Sequence, residues 1–138
     1  MSYFLDTNVV IALLRNKPAI VRERFRGVVS GGGLIVVSSV VLFELRYGIS
    51  RSERREENTE RLRIFLSGVS SVLPFGEGDA SIAGDLRAAL EMAGTPIGPY
   101  DLLIAAQALR AGVSLVTANV SEFGRVTGLV WQDWTVAP

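Results

Sequence analysis

The sequence predicts an α/β sandwich, a mostly parallel sheet of about four to five strands covered by helices. Three observations point there. Short apolar runs rich in branched residues recur at wide spacing: YFL (3–5), LIVVS (34–38), VLPF (72–75) and SLVT (114–117). The stretches between them carry apolar residues at helical spacing, and strands alternating with helices argue for a parallel sheet. Apolar residues make up 49% of the chain, which suits a packed globule and argues against disorder.

Each element has its own signal. YFL reads as a buried strand, and VVIALLR and AIVRERFRGVV as the first two helices, with SGGG (30–33) as a loop. LIVVS is the second strand, followed by the helices SVVLFELRYGI and ERREENTERLRIFLSGV. VLPF is a weak third strand, GEG (76–78) a loop, and DASIAGDLRAALEMAG a helix. IGPYDLLIAAQALRAG is the best punctuated helix: Gly98 caps it, Pro99 takes the first helical position and Gly112 stops it. SLVT is the fourth strand, TANVSEF reads as a turn, and LVWQDW forms an edge strand. No repeat, low-complexity tract or linker divides the chain, so 1–138 is read as one domain, long enough to bury roughly 68% of its unfolded surface.

Absent residues narrow the chemistry. The chain has no histidine and no cysteine, which excludes Ser-His-Asp and Cys-His nucleophiles, imidazole or thiolate zinc sites, and disulfides. Lys17 is the sole lysine and no phosphate-cradling GxxxxGK[ST] loop occurs. The apolar run LIVVSSVVLF is too short for a membrane helix, and Asp6 stands where a signal peptide would carry its apolar core. A reducing cytoplasm is the expected location. Net charge is zero, but residues 15–26 carry +4, residues 46–63 carry +2, and the chain from Glu77 onward carries −4.

Four residues fall at the same expected sheet edge. In open α/β sheets, sites form beyond the carboxyl ends of the strands. Asp6 follows the first strand, Glu44 lies in the helix after the second, and Asn119 lies just past LVT. Asp101 takes the third position of its helix, where the helix dipole favours a carboxylate by roughly 0.3–1 kcal/mol. Each also has a plain reading. Asp6 suits a helix cap, Glu44 a solvated helix position, Asp101 a first-turn acid, and Asn119 a turn. Together they argue for a site. Carboxylates ~5 Å apart repel by about 3 kcal/mol per pair at an effective dielectric of ~20, so such a cluster takes up protons or a cation. Oxygen ligands alone suit Mg²⁺ or Mn²⁺, which activate water and stabilise charge on a phosphate.

With those residues in view, FLDTNVVIALLR, SSVVLFELRYGI, IGPYDLLIAAQAL and LVTANVSEF followed by GLVWQDW resemble the successive motif blocks of the PIN-domain ribonucleases, and among them the VapC-type toxins. The resemblance runs nearly end to end and implies a PIN-like three-layer α/β/α sandwich. By it, Asp6, Glu44 and Asp101 correspond to the family's invariant acids, with Asp6 and Asp101 the principal metal ligands. Glu44 binds metal or orients water. Asn119 occupies a fourth position that is aspartate in many relatives. Thr7, Asn8 and Thr117 are expected to orient the ligands through hydrogen bonds.

The implied activity is a Mg²⁺- or Mn²⁺-dependent endoribonuclease acting on tRNA or another structured RNA. Its implied partners are a small antitoxin, the RNA and a second copy in a homodimer, with higher toxin–antitoxin assemblies and no membrane. Arg15, Arg46, Arg51, Arg54 and Arg55 are the expected phosphate contacts. Glu57–Arg61 and Glu60–Arg63, at helical spacing, suit a solvated helix instead. Leu62, Ile64, Phe65 and Leu66 are assigned to the core. The alternatives are a catalytically silent PIN-like binding module and an aspartate-based phosphatase; the latter wants an aspartate at position 8 and a late lysine, and the chain has neither.

Overall fold

The computed structural model describes Met1–Pro138. Strands β1 (Ser2–Leu5), β2 (Leu34–Ser38), β3 (Ser71–Leu73), β4 (Ser114–Val116) and β5 (Trp131–Gln132) form one sheet in the order β3-β2-β1-β4-β5. Every neighbouring pair is parallel. Parallel neighbours need crossovers. The helices α1 (Thr7–Arg15), α2 (Ala19–Ser30), α3 (Ser39–Arg51), α4 (Arg55–Ser67), α5 (Glu77–Met92), α6 (Pro99–Ala111) and the short α7 (Val120–Phe123) supply them. The result is an α/β/α sandwich.

The core lies on the central strands. Phe4 and Leu5 of β1, Val37 of β2, and Leu115 and Val116 of β4 are fully buried, as are Val10, Val41, Leu62 and Ala105 from the helices. Each large side chain taken out of water contributes roughly 1.5–3 kcal/mol. β1 pairs with β2 on one side and β4 on the other. From β1 the chain builds outward through β2 and β3, then returns to lay down β4 and β5 on the opposite side. The direction therefore switches between β1 and β4, where open α/β sheets leave a crevice at the carboxyl ends.

Several local expectations are corrected. β3 stops at Leu73 rather than Phe75, because Pro74 has no N–H for a ladder. Only Trp131–Gln132 of LVWQDW is strand. Asp133 then accepts from the Thr135 N–H at 2.8 Å, and Trp134 turns inward against Tyr3, their ring centres 5.9 Å apart. TANVSEF contains α7 rather than a turn alone. In α4, Leu62 is buried but Ile64 is 57% exposed, since two residues carry it about half a turn round the helix. Asp79 is buried in the first turn of α5, where it accepts from the Gly76 N–H at 2.8 Å and faces Arg110 at 3.8 Å.

Candidate active site at the strand switch

Asp6 sits at the switch point. Its backbone N–H still donates to Val116 O of β4 (3.1 Å), so strand pairing places it. Its Oδ1 accepts from the Val9 N–H (3.0 Å) and caps α1, while Oδ2 accepts from Thr117 Oγ1 (2.6 Å). The capping reading is thus correct and compatible with a second role, because two oxygens serve two elements. Burial raises the Asp6 pKa above the usual carboxylate range. Bonds from Thr117 and the Val9 and Asn8 N–H groups oppose that rise, and the Glu44 charge adds to it.

Glu44 is brought in by α3, whose first turn is capped by Ser38 Oγ accepting from the Val40 N–H (2.9 Å). Thr7, the residue after Asp6, donates its hydroxyl to Glu44 Oε1 at 2.7 Å. Glu44 is half-buried, not a freely solvated helix position.

α6 delivers Asp101 as its punctuation predicts: Gly98 is the N-cap, Pro99 begins the helix, and Gly112 ends it at φ 66°. Asn119 Nδ2 donates to Asp101 Oδ2 (3.1 Å) and to Glu122 Oε2 (2.8 Å). Glu122 Oε1 also accepts from the Gly98 N–H (2.9 Å). Sequence reasoning missed Glu122. Its available signal was its place three residues after Asn119 in TANVSEF, which one helical turn puts on the same side. Desolvation pushes the Asp101 carboxyl up to about 7, aided by its hydrogen bond with Glu122 and by the charges of Glu122, Asp6 and Glu44. Glu122 is held below its usual range, chiefly by that bond and then by Gly98 and Asn119. Of this pair, Asp101 is the acid that ionises at the higher pH.

A continuous relay links the group. Glu44 joins Thr7; Thr7 adjoins Asp6; Asp6 joins Thr117, whose Oγ1 accepts from the Asn119 N–H (2.9 Å); Asn119 joins Asp101 and Glu122. The acids share an edge without forming a closed cage, as no three of them stand grouped at metal-ligating range. Each carboxylate instead rests on hydroxyl or amide donors. Of the residues expected to orient ligands, Thr7 and Thr117 bond to acids, whereas the exposed Asn8 brings only its backbone N–H near Asp6. A cavity of about 720 Å³ lies at the opposite end of the strands beside Met1, Tyr3 and Gly33 and holds none of these acids.

The PIN domain family profile matches residues 3–129. This chain belongs to the PIN-domain family. Among curated proteins it is 41% identical over 135 residues to the tRNA(fMet)-specific endonuclease VapC of Shigella flexneri, covering 98% of this chain and 99% of that protein. It is 37% identical over 134 residues to Ribonuclease VapC2 of Rickettsia felis, covering 97% and 98%. The Rickettsia felis VapBC2 structure bound to a promoter DNA fragment superposes with a TM-score of 0.90 at 36% identity, covering 97% of this chain and 99% of that one. With such relatives along its whole length, the chain is a VapC-type nuclease.

In this VapC-type PIN domain the arginines divide into two sets. Arg61 and Arg63 pair with Glu57 and Glu60 on the exposed face of α4, as the solvated-helix reading expects. Arg51 lies over the Tyr47 ring, 5.5 Å from its centre. Arg46, Arg54 and Arg55 are exposed and enter no ion pair. Arg15 is also exposed and shares with Glu44, Asn58 and Arg61 the wall of a groove of about 250 Å³. Of the four site acids only Glu44 lines this groove, together with Arg15.

Proposed function

We propose that this VapC-type nuclease is a Mg²⁺- or Mn²⁺-dependent endoribonuclease, the toxin of a toxin–antitoxin pair, formed by a single PIN domain over 1–138. The observation that carries the metal reading is the hydrogen-bonded relay that brings Asp6, Glu44, Asp101 and Glu122 to one sheet edge, where burial raises the Asp101 carboxyl. A cluster that resists ionisation accepts a hard divalent cation in place of its protons. The donor chemistry fits: carboxylate oxygens at one sheet edge, with no histidine or cysteine in the chain.

Asp6 and Asp101 would hold the ion directly, with Glu44 and Glu122 ligating it or orienting its waters. When bound, it supplies an activated water and neutralises charge on the scissile phosphate. The chain's own residues do the rest. Thr117 and Thr7 fix the rotamers of Asp6 and Glu44. Asn119 holds Asp101 and Glu122 side by side; as a neutral amide it adds less to cation affinity than an aspartate would. Arg15 and the unpaired arginines of α3 and α4 engage phosphates.

The name of the Shigella relative supports tRNA as the substrate class. The VapBC complexes among the structural relatives support a cognate antitoxin as partner. A homodimer in the cytoplasm completes the proposal; no helix is long and apolar enough to cross a membrane. The test is cleavage of total cellular RNA by the purified chain. It should require Mg²⁺ or Mn²⁺ and vanish in Asp101→Asn with the fold intact. Expression alone should arrest growth, and co-expression of the neighbouring small gene should relieve it. Metal-dependent cleavage absent from a folded wild type favours the silent binding module.

A further inference from the structure

We propose that Gln107 is a positioning residue: through Ser38 it braces α6 against the start of α3 and so sets the separation of Asp101 and Glu44. The inference rests on the metal reading above. Gln107 is 2% exposed in an otherwise apolar stretch of α6 between Ala106 and Ala108. An amide buried there without partners is costly, yet this one is bonded at both its oxygen and its nitrogen. Its Oε1 accepts from Ser38 Oγ at 2.6 Å, and its Nε2 donates to Leu73 O at 3.0 Å and Pro74 O at 3.2 Å.

The two contacts have different reasons. β3 ends at Leu73, and the carbonyls of Leu73 and Pro74 need a donor; Nε2 meets that need. The Ser38 bond serves something else. Ser38 is itself buried and caps α3 with the same oxygen, so Gln107 grips the hinge from which α3 leaves the sheet. Ser39 Oγ accepts from the Phe75 N–H at 2.9 Å and ties the same joint from the other side. Asp101 lies six residues before Gln107 and Glu44 six residues after Ser38, about 9 Å along each helix at 1.5 Å per residue. A tilt at the joint is therefore carried to both carboxylates.

The chain has no cysteine, so Ser50→Cys in α3 and Ala111→Cys in α6, both exposed, can carry a pair of spin labels. Pulsed electron paramagnetic resonance then reads the α3–α6 distance distribution in metal-free protein. Calorimetry with Mn²⁺ alone reads the site. Gln107→Met, which keeps the α3 cap, and Ser38→Ala, which keeps the Gln107 bonds to β3 but removes the cap with the Gln107 bond, should both broaden or shift the distribution and weaken Mn²⁺ binding by about ten-fold or more, while unfolding stays cooperative. An unchanged distribution in a folded variant overturns the brace and leaves Gln107 serving only the β3 carbonyls; a broadened one with wild-type Mn²⁺ affinity overturns its part in setting the separation of Asp101 and Glu44. A wild type that takes up no Mn²⁺, but whose distance distribution still depends on Gln107, counts against the metal reading and upholds the brace.

Discussion

Thr117 Oγ1 donates to Asp6 Oδ2 at 2.6 Å, joining the carboxyl ends of β4 and β1 across 111 residues of chain. The same hydroxyl accepts from the Asn119 N–H, so one oxygen orients the acid and shapes the turn that carries the amide. Thr117→Val keeps the shape and removes both bonds. It should destabilise by about 1–3 kcal/mol, the range for a buried polar group losing its partner. Mn²⁺ affinity should fall about 10–100-fold. Chemical denaturation and calorimetry on one sample separate the two effects.

Asp101→Asn removes the ionisable carboxyl at the end of the relay and keeps the shape. Cleavage should fall by more than about 100-fold, beyond the range usual for outer-shell partners of a metal. Far-UV circular dichroism should be unchanged. Retention of even a tenth of wild-type cleavage would remove Asp101 from the ligand set.

The Asp101 carboxyl stands at about 7 in the folded chain against an ordinary value of 3.8. Between those values the folded protein binds more protons than the unfolded one, so stability falls as pH rises through this interval. Glu122, held low, works in the opposite sense but below its ordinary 4.5. Metal-free protein should therefore melt a few degrees lower at pH 8 than at pH 5.5. Mg²⁺ should reverse the difference, because an ion binds the ionised form. Asp101→Asn should flatten the metal-free slope. Thermal melts across pH, with and without the ion, check all three.

Asn119→Asp places another carboxylate between Asp101 and Glu122. Metal-free protein should lose stability at pH 8 through like-charge repulsion, while Mn²⁺ should bind more tightly. Equal affinity in the two proteins would mean that position 119 does not face the ion.

Removing Arg46, Arg54 and Arg55 together should weaken RNA binding at low salt. It should also lower the slope of log affinity against log salt by about 0.7 for each single-strand phosphate that is no longer neutralised. Arg61→Ala and Arg63→Ala should change the slope less, since each of these side chains already answers a glutamate on α4. Fluorescence anisotropy with a labelled oligonucleotide at several salt concentrations measures both.

The chain order alone specified much of this site. Asp101 was legible because its placement is local: Gly98, Pro99 and Gly112 punctuate α6, and counting from Pro99 puts the acid in the first turn. Asp6 was legible because a carboxylate directly after a buried strand is costly to desolvate unless it caps a helix or meets a ligand. Glu122 was not legible. Its role depends on the Gly98 N–H and on Asn119 Nδ2, and the first of these lies 24 residues away on another element. Asn8 shows the reverse: it directly follows Asp6 and Thr7 of the relay, yet its side chain is exposed.

What the sequence determined by itself was the alternation of strands and helices, the acidic and amide oxygen chemistry, and the exclusion of imidazole and thiolate catalysis, because composition and periodicity act on neighbours along the chain. Only the tertiary structure decided which oxygen of each acid is engaged, that the Asp101 carboxyl is pushed up while that of Glu122 is held down, and that Gln107 grips Ser38. Those outcomes depend on burial and on distances of about 3 Å between segments remote in sequence. No linear pattern encodes such distances until the sheet has brought β1 and β4 side by side.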